Sequence, residues 1–202
     1  FELLAKKDIT KITILHTNDV HSHIEPFADN DPKFPGLGGV AQRAFVINDI
    51  RNKEKNVLLF DAGDIFQGTP YFNLFKGEVE MKLMSQLKYD AGTIGNHDFD
   101  NGIDGLANMM EYANFPLLNC NYDFSKTVMA NKTLPYKIFE RDDVRIGVFG
   151  IGIELKGLVP DKLYSKTIYL DPMEKAAVTA HHLKLKEKCD LVICLSHLGY
   201  RY

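Results

Sequence analysis

Four short stretches of this chain concentrate side chains that bind metal ions. Asp19 and His21 stand two apart in His16-Thr17-Asn18-Asp19-Val20-His21. Asp64 closes Asp61-Ala62-Gly63-Asp64, Asn96, His97 and Asp100 crowd into Gly95-Asn96-His97-Asp98-Phe99-Asp100, and His197 follows Ser196. Carboxylate, amide and imidazole donors with no thiolate among them suit divalent Mn, Fe and Zn. In an extended segment, Asp19 and His21 project to one side and can reach one ion. Gly63 lets the backbone turn tightly, so that the Asp64 carboxylate can lean between two ions. Each piece alone is weak. An Asp-x-His triplet arises often by chance, and Asn96-His97 by itself reads equally as an Asx-turn with a surface histidine. The ordered set of four carries the reading.

Each stretch follows an apolar run of strand character: Ile12–Leu15, Val57–Phe60, Ala91–Ile94 and Leu191–Leu195. Val57–Phe60 is continuous, as expected of a strand buried on both faces. Between the runs lie helical spacings. Gly39–Lys53 carries Val40, Ala44, Ile47 and Ile50, and Val79–Leu87 carries Met81, Leu83, Met84 and Leu87. Ile103–Tyr112 and Pro172–Lys188 read as further helices, the latter with Asp171 as N-cap and proline at its first position. Pro116–Cys120 reads as a strand. Tyr136–Phe139 and Arg145–Phe149 flank Arg141-Asp142-Asp143 as a hairpin. Glu25–Gly36, with three prolines and three acidic residues, reads as an exposed loop. Alternating strands and helices make an α/β protein with a largely parallel sheet, and this pattern alone suggests a three-layer doubly wound fold. In such sheets ligands bind at the carboxyl ends of strands, where all four polar stretches fall.

Composition narrows the function classes. The 202 residues suit one domain, and a net charge of −3 gives no sign of a nucleic-acid binder. A near-neutral protein acting on an anionic phosphate ester needs local positive charge, which bound metal supplies. Cys120, Cys189 and Cys194 are odd in number and widely spaced, so they read as buried thiols rather than a disulfide framework. No segment has the ~18 apolar residues of a membrane span. Phe1–Asp8 lacks signal-peptide character. Composition does not choose between a cytoplasmic protein and a chain that starts after a removed signal.

Several features are set aside. Gly36-Leu37-Gly38-Gly39 follows a proline-rich loop rather than a strand, so it opens a helix and is not a dinucleotide fingerprint. Gly147, Gly150 and Gly152 serve close packing. His181 and His182 read as a solvated helix face, and His16 as a satisfied core histidine. His23 stands at the pocket's edge without a role. Asn131-Lys132-Thr133 is a glycosylation sequon by pattern only.

Ile14-Leu15-His16-Thr17-Asn18-Asp19-Val20-His21, Gly63-Asp64-Ile65-Phe66-Gln67-Gly68-Thr69-Pro70, Gly95-Asn96-His97-Asp98-Phe99-Asp100 and Leu195-Ser196-His197-Leu198-Gly199 resemble the successive motifs of the 5'-nucleotidase family of calcineurin-like metallophosphatases. The resemblance implies an αββα sandwich, two packed sheets with helices outside, over residues 1–202 as one catalytic domain. It implies two divalent metal ions of the Zn, Mn, Fe or Co kind. Asp19 and His21 then hold the first ion, Asp64 bridges both, and Asn96 and His197 hold the second. His97 and Asn96 contact the substrate phosphate, and Asp100 orients His97. The implied activity is hydrolysis of nucleoside 5'-monophosphates or related nucleotides by a metal-activated water, outside the cytoplasm, in the periplasm or extracellularly. Nucleotide sugars and 2',3'-cyclic nucleotides remain open as substrates. The resemblance further implies a later Gly-His motif and a C-terminal nucleotide-recognition domain, neither within these residues, whether downstream or on a partner chain. A metal-binding but catalytically silent domain is the competing reading.

Overall fold

In a computed structural model, which describes residues 9–199, the architecture follows from how one strand divides its side chains. β2 (Val57–Asp61) is buried along its whole length. Leu58 and Phe60 face one way and pack with Phe139, Ile146, Val148 and Leu195 of a second sheet. Leu59 faces the other way, into a cluster with Ile47, Met81, Met84, Ile103 and Leu106 from helices. A continuous apolar run is therefore what this position requires, since neither face meets water.

The first sheet has β1 (Thr13–Thr17), β2 and β3 (Ala91–Gly92), all parallel, in that order. Its outer face carries α1 (Gly39–Lys53), α2 (Pro70–Phe75), α3 (Glu78–Gln86) and α4 (Gly102–Met109). A short antiparallel pair, β4 (Tyr122–Asp123) and β7 (Ile168–Tyr169), adds Tyr122 to the same cluster. The second sheet has β5 (Tyr136–Arg141), β6 (Val144–Gly152) and β8 (Leu191–His197), with β5–β6 antiparallel and β6–β8 parallel. Phe149 and Ile151 of β6 face outward and pack on Leu183 of α6 (Pro172–Leu185). A Cβ on Gly147 would stand 2.9 Å from a Leu183 methyl, so glycine lets α6 lie close. A four-residue helix, α5 (Asp161–Tyr164), precedes β7.

The result is helix–sheet–sheet–helix, the αββα sandwich, rather than the single doubly wound sheet that alternation alone suggests. The hairpin expected around Asp142-Asp143 is present, with Asp142 in the left-handed region at φ 49°. Asp171 caps α6, accepting from the Glu174 N–H at 2.8 Å.

Other expectations needed correction. Pro116–Cys120 is not a regular strand. Gly92 N–H donates to the Pro116 carbonyl and Leu118 N–H to the Gly92 carbonyl, but the pairing stops at this single Gly92–Leu117 bridge, and Cys120 N–H goes instead to the Gly150 carbonyl of β6. α2, α5, β4 and β7 have two to six residues, too few to show a period. The solvated helix face expected of His181 and His182 is revised for His182, whose ring bonds the Tyr136 hydroxyl at 3.1 Å and lies 3.3 Å from Glu187. Of the three thiols only Cys189 is buried; Cys120 is half-buried and Cys194 exposed. His16 is exposed, on the same face of β1 as the exposed Ile14.

Candidate metal centre

The loops that leave β1 and β2 stay paired after the strands end. N–H groups of Asp19, His21 and Ser22 donate to the carbonyls of Gly63, Asp64 and Ile65 at 2.9–3.1 Å. That pairing is not extended. Asp19, His21, Ser22 and Asp64 all have positive φ, between 48° and 57°. The expectation that Asp19 and His21 share a side through strand alternation is therefore wrong in its geometry. They converge through successive left-handed turns, which L-residues adopt at a cost of about 1 kcal/mol or more each.

The turn after β3 closes on these loops. A Cβ on Gly95 would lie 2.2 Å from Asp64 Oδ1, and one on Gly63 would lie 2.7 Å from Gly95 N. Only glycine permits this approach. His97 N–H donates to Asp64 Oδ1 at 2.9 Å. Asn96 heads the same turn and spends nothing on it, since its side chain makes no capping bond. β8 brings in His197 from the second sheet.

Side-chain atoms of Asp19, Asp64 and His197 lie within 4.8 Å of one another. His197 Nε2 is 3.3 Å from Asp64 Oδ2, and His21 Nε2 is 3.6 Å from the same oxygen and 3.9 Å from Asp19 Oδ1. Both imidazoles are oriented from behind. His197 Nδ1 lies 2.8 Å from the Ala62 carbonyl and His21 Nδ1 lies 3.2 Å from that of Phe66. A carbonyl only accepts, so each Nδ1 carries the proton and each Nε2 faces the carboxylates. His97 sits edge-on to His21, ring centres 5.2 Å apart, with Nδ1 2.9 Å from Asp100 Oδ2.

The electrostatics are those of a crowded anionic site. Burial opposes charge on His197, but the Asp64 carboxylate outweighs it and lifts the imidazole to about 9. Burial likewise works against ionised Asp64, yet bonding to His197 leaves its carboxyl below the ordinary value. The same group of donors fits a divalent ion: two imidazole Nε2 atoms and two carboxylates, already turned toward one another.

Two buried acids escaped the sequence reading. Asp98 accepts four backbone N–H bonds, from Ile65 and Phe66 on Oδ1 and from Asp64 and Gly95 on Oδ2. It ties the β2 loop to the β3 loop. Burial and the charge of Asp64 push its carboxyl up to about 7, against those four donors, which favour the carboxylate. Asp61 accepts from the Thr17 hydroxyl at 2.6 Å and from Gly63 N–H at 2.9 Å, and burial lifts it to about 6. For Asp61 the signal was available, since it follows the fully apolar run Val57–Phe60, where a carboxylate must have work for its oxygens; Asp98, among polar neighbours, gave none.

Comparison with known proteins agrees with this geometry. The model of the family described as calcineurin-like phosphoesterase matches residues 12–201. A snake venom 5'-nucleotidase of Crotalus adamanteus is 44% identical over 147 residues, covering 69% of this chain and 25% of that protein. A 5'-nucleotidase of Vibrio cholerae is 37% identical over 195 residues, covering 94% of this chain and 34% of that protein. The crystal structure of a 5'-nucleotidase precursor from Thermus thermophilus superposes with a TM-score of 0.82 at 34% identity, over 94% of this chain and 37% of that one. The chain thus spans a quarter to a third of the length of these curated relatives.

Proposed function

This chain belongs to the calcineurin-like phosphoesterase family, and from that premise we propose that it is the catalytic part of a metal-dependent phosphomonoesterase acting on nucleoside 5'-monophosphates or related nucleotides. The observation that carries the reading is the convergence of Asp19, His21, Asp64 and His197 from two separate loops and a strand of the opposite sheet. Asp19, His21 and Asp64 would hold one divalent ion, and Asp64, Asn96 and His197 a second, of the Zn, Mn, Fe or Co kind. Such ions, when bound, supply positive charge to the phosphate oxygens and acidify a water for attack on phosphorus.

The chain's own side chains have distinct tasks. The carbonyls behind His21 and His197 hold each ring in the tautomer that keeps Nε2 a lone-pair donor. Asp64, nearly enclosed, keeps its carboxylate oxygens away from bulk water, so their charge is little screened. Asp100 fixes the orientation of the His97 ring through Nδ1, leaving Nε2 to face a phosphoryl oxygen. The Asn96 amide, free of any capping duty, would donate to another phosphate oxygen. No residue is needed as a covalent nucleophile.

Recognition of base and ribose is assigned to polypeptide outside these residues, downstream or on a partner, since the relatives are several times longer. Work outside the cytoplasm, periplasmic or extracellular, fits the venom relatives. Among the described residues no helix is long and apolar enough to cross a membrane. The test measures Mn²⁺- and Zn²⁺-dependent hydrolysis of AMP and of an aryl phosphate, by these 202 residues and by a longer chain. The expected result is metal-dependent hydrolysis, with AMP preference arising only in the longer chain. Hydrolysis indifferent to chelators would refute the metal reading. Strong AMP preference in the short chain would refute the assignment of recognition.

A further inference from the structure

Beneath the turn that carries His21 lies a second polar cluster that the proposed chemistry does not use. Ser22 is fully buried, and Glu80, in the first turn of α3, is 5% exposed. Among the described residues, neither the Ser22 hydroxyl nor either Glu80 carboxylate oxygen has a hydrogen-bond partner, and Arg43 Nε on α1 is buried and unpartnered as well. All three residues line one small cavity, together with Val20, Ile65, Leu83 and Met84 among others. Its room for the centre of a water molecule is about 10 Å³. That is roughly the space one buried water needs, and such a water typically makes about three hydrogen bonds.

We infer that this cavity is a binding site for a single ordered water, which bridges Ser22 Oγ, the Glu80 carboxylate and Arg43 Nε and so anchors the His21 turn to α1 and α3. The chemistry selects water. Arg43 offers an N–H donor, Glu80 offers only acceptors if ionised, and Ser22 can do either. One water accepts from Arg43 and donates to Glu80, with the serine completing its shell. A bare cation would satisfy Glu80 but would face the guanidinium. An apolar occupant would leave four buried polar atoms unpaired, at about 1–3 kcal/mol each.

The site matters because of what stands above it. Ser22 has φ 54° and His21 φ 48°. The main chain of Ser22 is held by Ile65, whose carbonyl takes its N–H, and by the Thr69 hydroxyl, which donates to its carbonyl. The bridge holds the side chain too, and so fixes the turn that aims His21 Nε2 at Asp64. Glu80 is thus a positioning residue for a centre it does not touch. This role, though not the water itself, rests on the metal reading above.

Two experiments decide it. A crystal structure of the chain, at a resolution that orders buried waters, should show one peak within hydrogen-bond distance of Ser22 Oγ, Glu80 and Arg43 Nε. A dry cavity, or Glu80 paired directly with Arg43, would overturn the site. Second, Mn²⁺ affinity is measured by competition with a chelator, well below the melting temperature of each variant. Ser22→Ala and Glu80→Gln should each weaken binding about 10–100-fold, as loss of outer-shell partners commonly does. Leu83→Ala removes an apolar wall of the same cavity and should lower stability while leaving Mn²⁺ affinity unchanged. If Leu83→Ala weakens binding equally, or the two polar variants do not weaken it, the positioning role is wrong. Wild-type protein that binds no Mn²⁺ would refute the metal reading and the positioning role with it, while the density alone would still decide the water.

Discussion

Replacing Asp98 with Asn changes one oxygen into an NH₂ and should cost the protein more than most substitutions in its core. The carboxylate takes two backbone N–H bonds on each oxygen: 2.9 and 3.1 Å on Oδ1, 3.2 and 2.8 Å on Oδ2. Whichever way the amide is seated, two of those four donors face another donor. Hydrogen bonds to a charged acceptor are worth about 1.5–3 kcal/mol, so the lost pair amounts to about 3–6 kcal/mol. Removing a charge from a buried position offsets part of this. The net destabilisation should be about 3 kcal/mol, read as a lower urea midpoint, or as about 6–12 °C in Tm for a domain of this size. Because Asp98 is the common tie of the Asp64 and Gly95 loops, Mn²⁺ content should fall as well. A loss below about 1 kcal/mol with metal content intact would show that the loops hold their shape without this carboxylate, and the reasoning would fail.

Asp64→Asn should weaken both metal sites, whereas His21→Ala should affect mainly one, as seen in metal content at saturating Mn²⁺; at most one ion per chain in the wild type would contradict the two-ion reading. His97→Asn should lower turnover about 10²–10⁴-fold with metal content near normal; if metal is lost while turnover per bound ion holds, His97 is itself a ligand. Cys194 is exposed, yet local burial pushes its thiol up to about 12. A raised pKa means less thiolate, so at pH 8 its alkylation by iodoacetamide should be about 10²-fold or more slower than that of free cysteine, and a rate equal to free cysteine would show the burial to be ineffective.

The elements that position the site were legible because their signals are long or repeated. Val57–Phe60 announced a strand buried on both faces, and β2 is one. Asp171-Pro172 announced the start of α6. The choice between one doubly wound sheet and two packed sheets was not legible from alternation. That choice lies in which of Phe149 and Val148 faces helix or sheet, a matter of tertiary partners. The sequence order of the donor residues was enough to bring Asp19, His21, Asp64 and His197 to one place, but not to say how. Spacing suggested a strand for Asp19 and His21, while the backbone there is left-handed, held by bonds to a loop about 45 residues away. Asp98 was hidden in plain view, since a structural carboxylate has the same letter as a ligand.

The left-handed turns have a consequence for how this protein ages in evolution. Asp19, His21 and Asp64 occupy conformations that glycine adopts without cost, so the backbone alone would gain stability from glycine at each. On the proposed metal reading, selection for metal binding is what keeps polar side chains there. A duplicated copy released from that selection should drift toward glycine at these positions first, becoming sturdier as it falls silent. Glycine at 19, 21 or 64 in an otherwise intact homologue would therefore mark a retired enzyme, readable from its sequence before any assay is run.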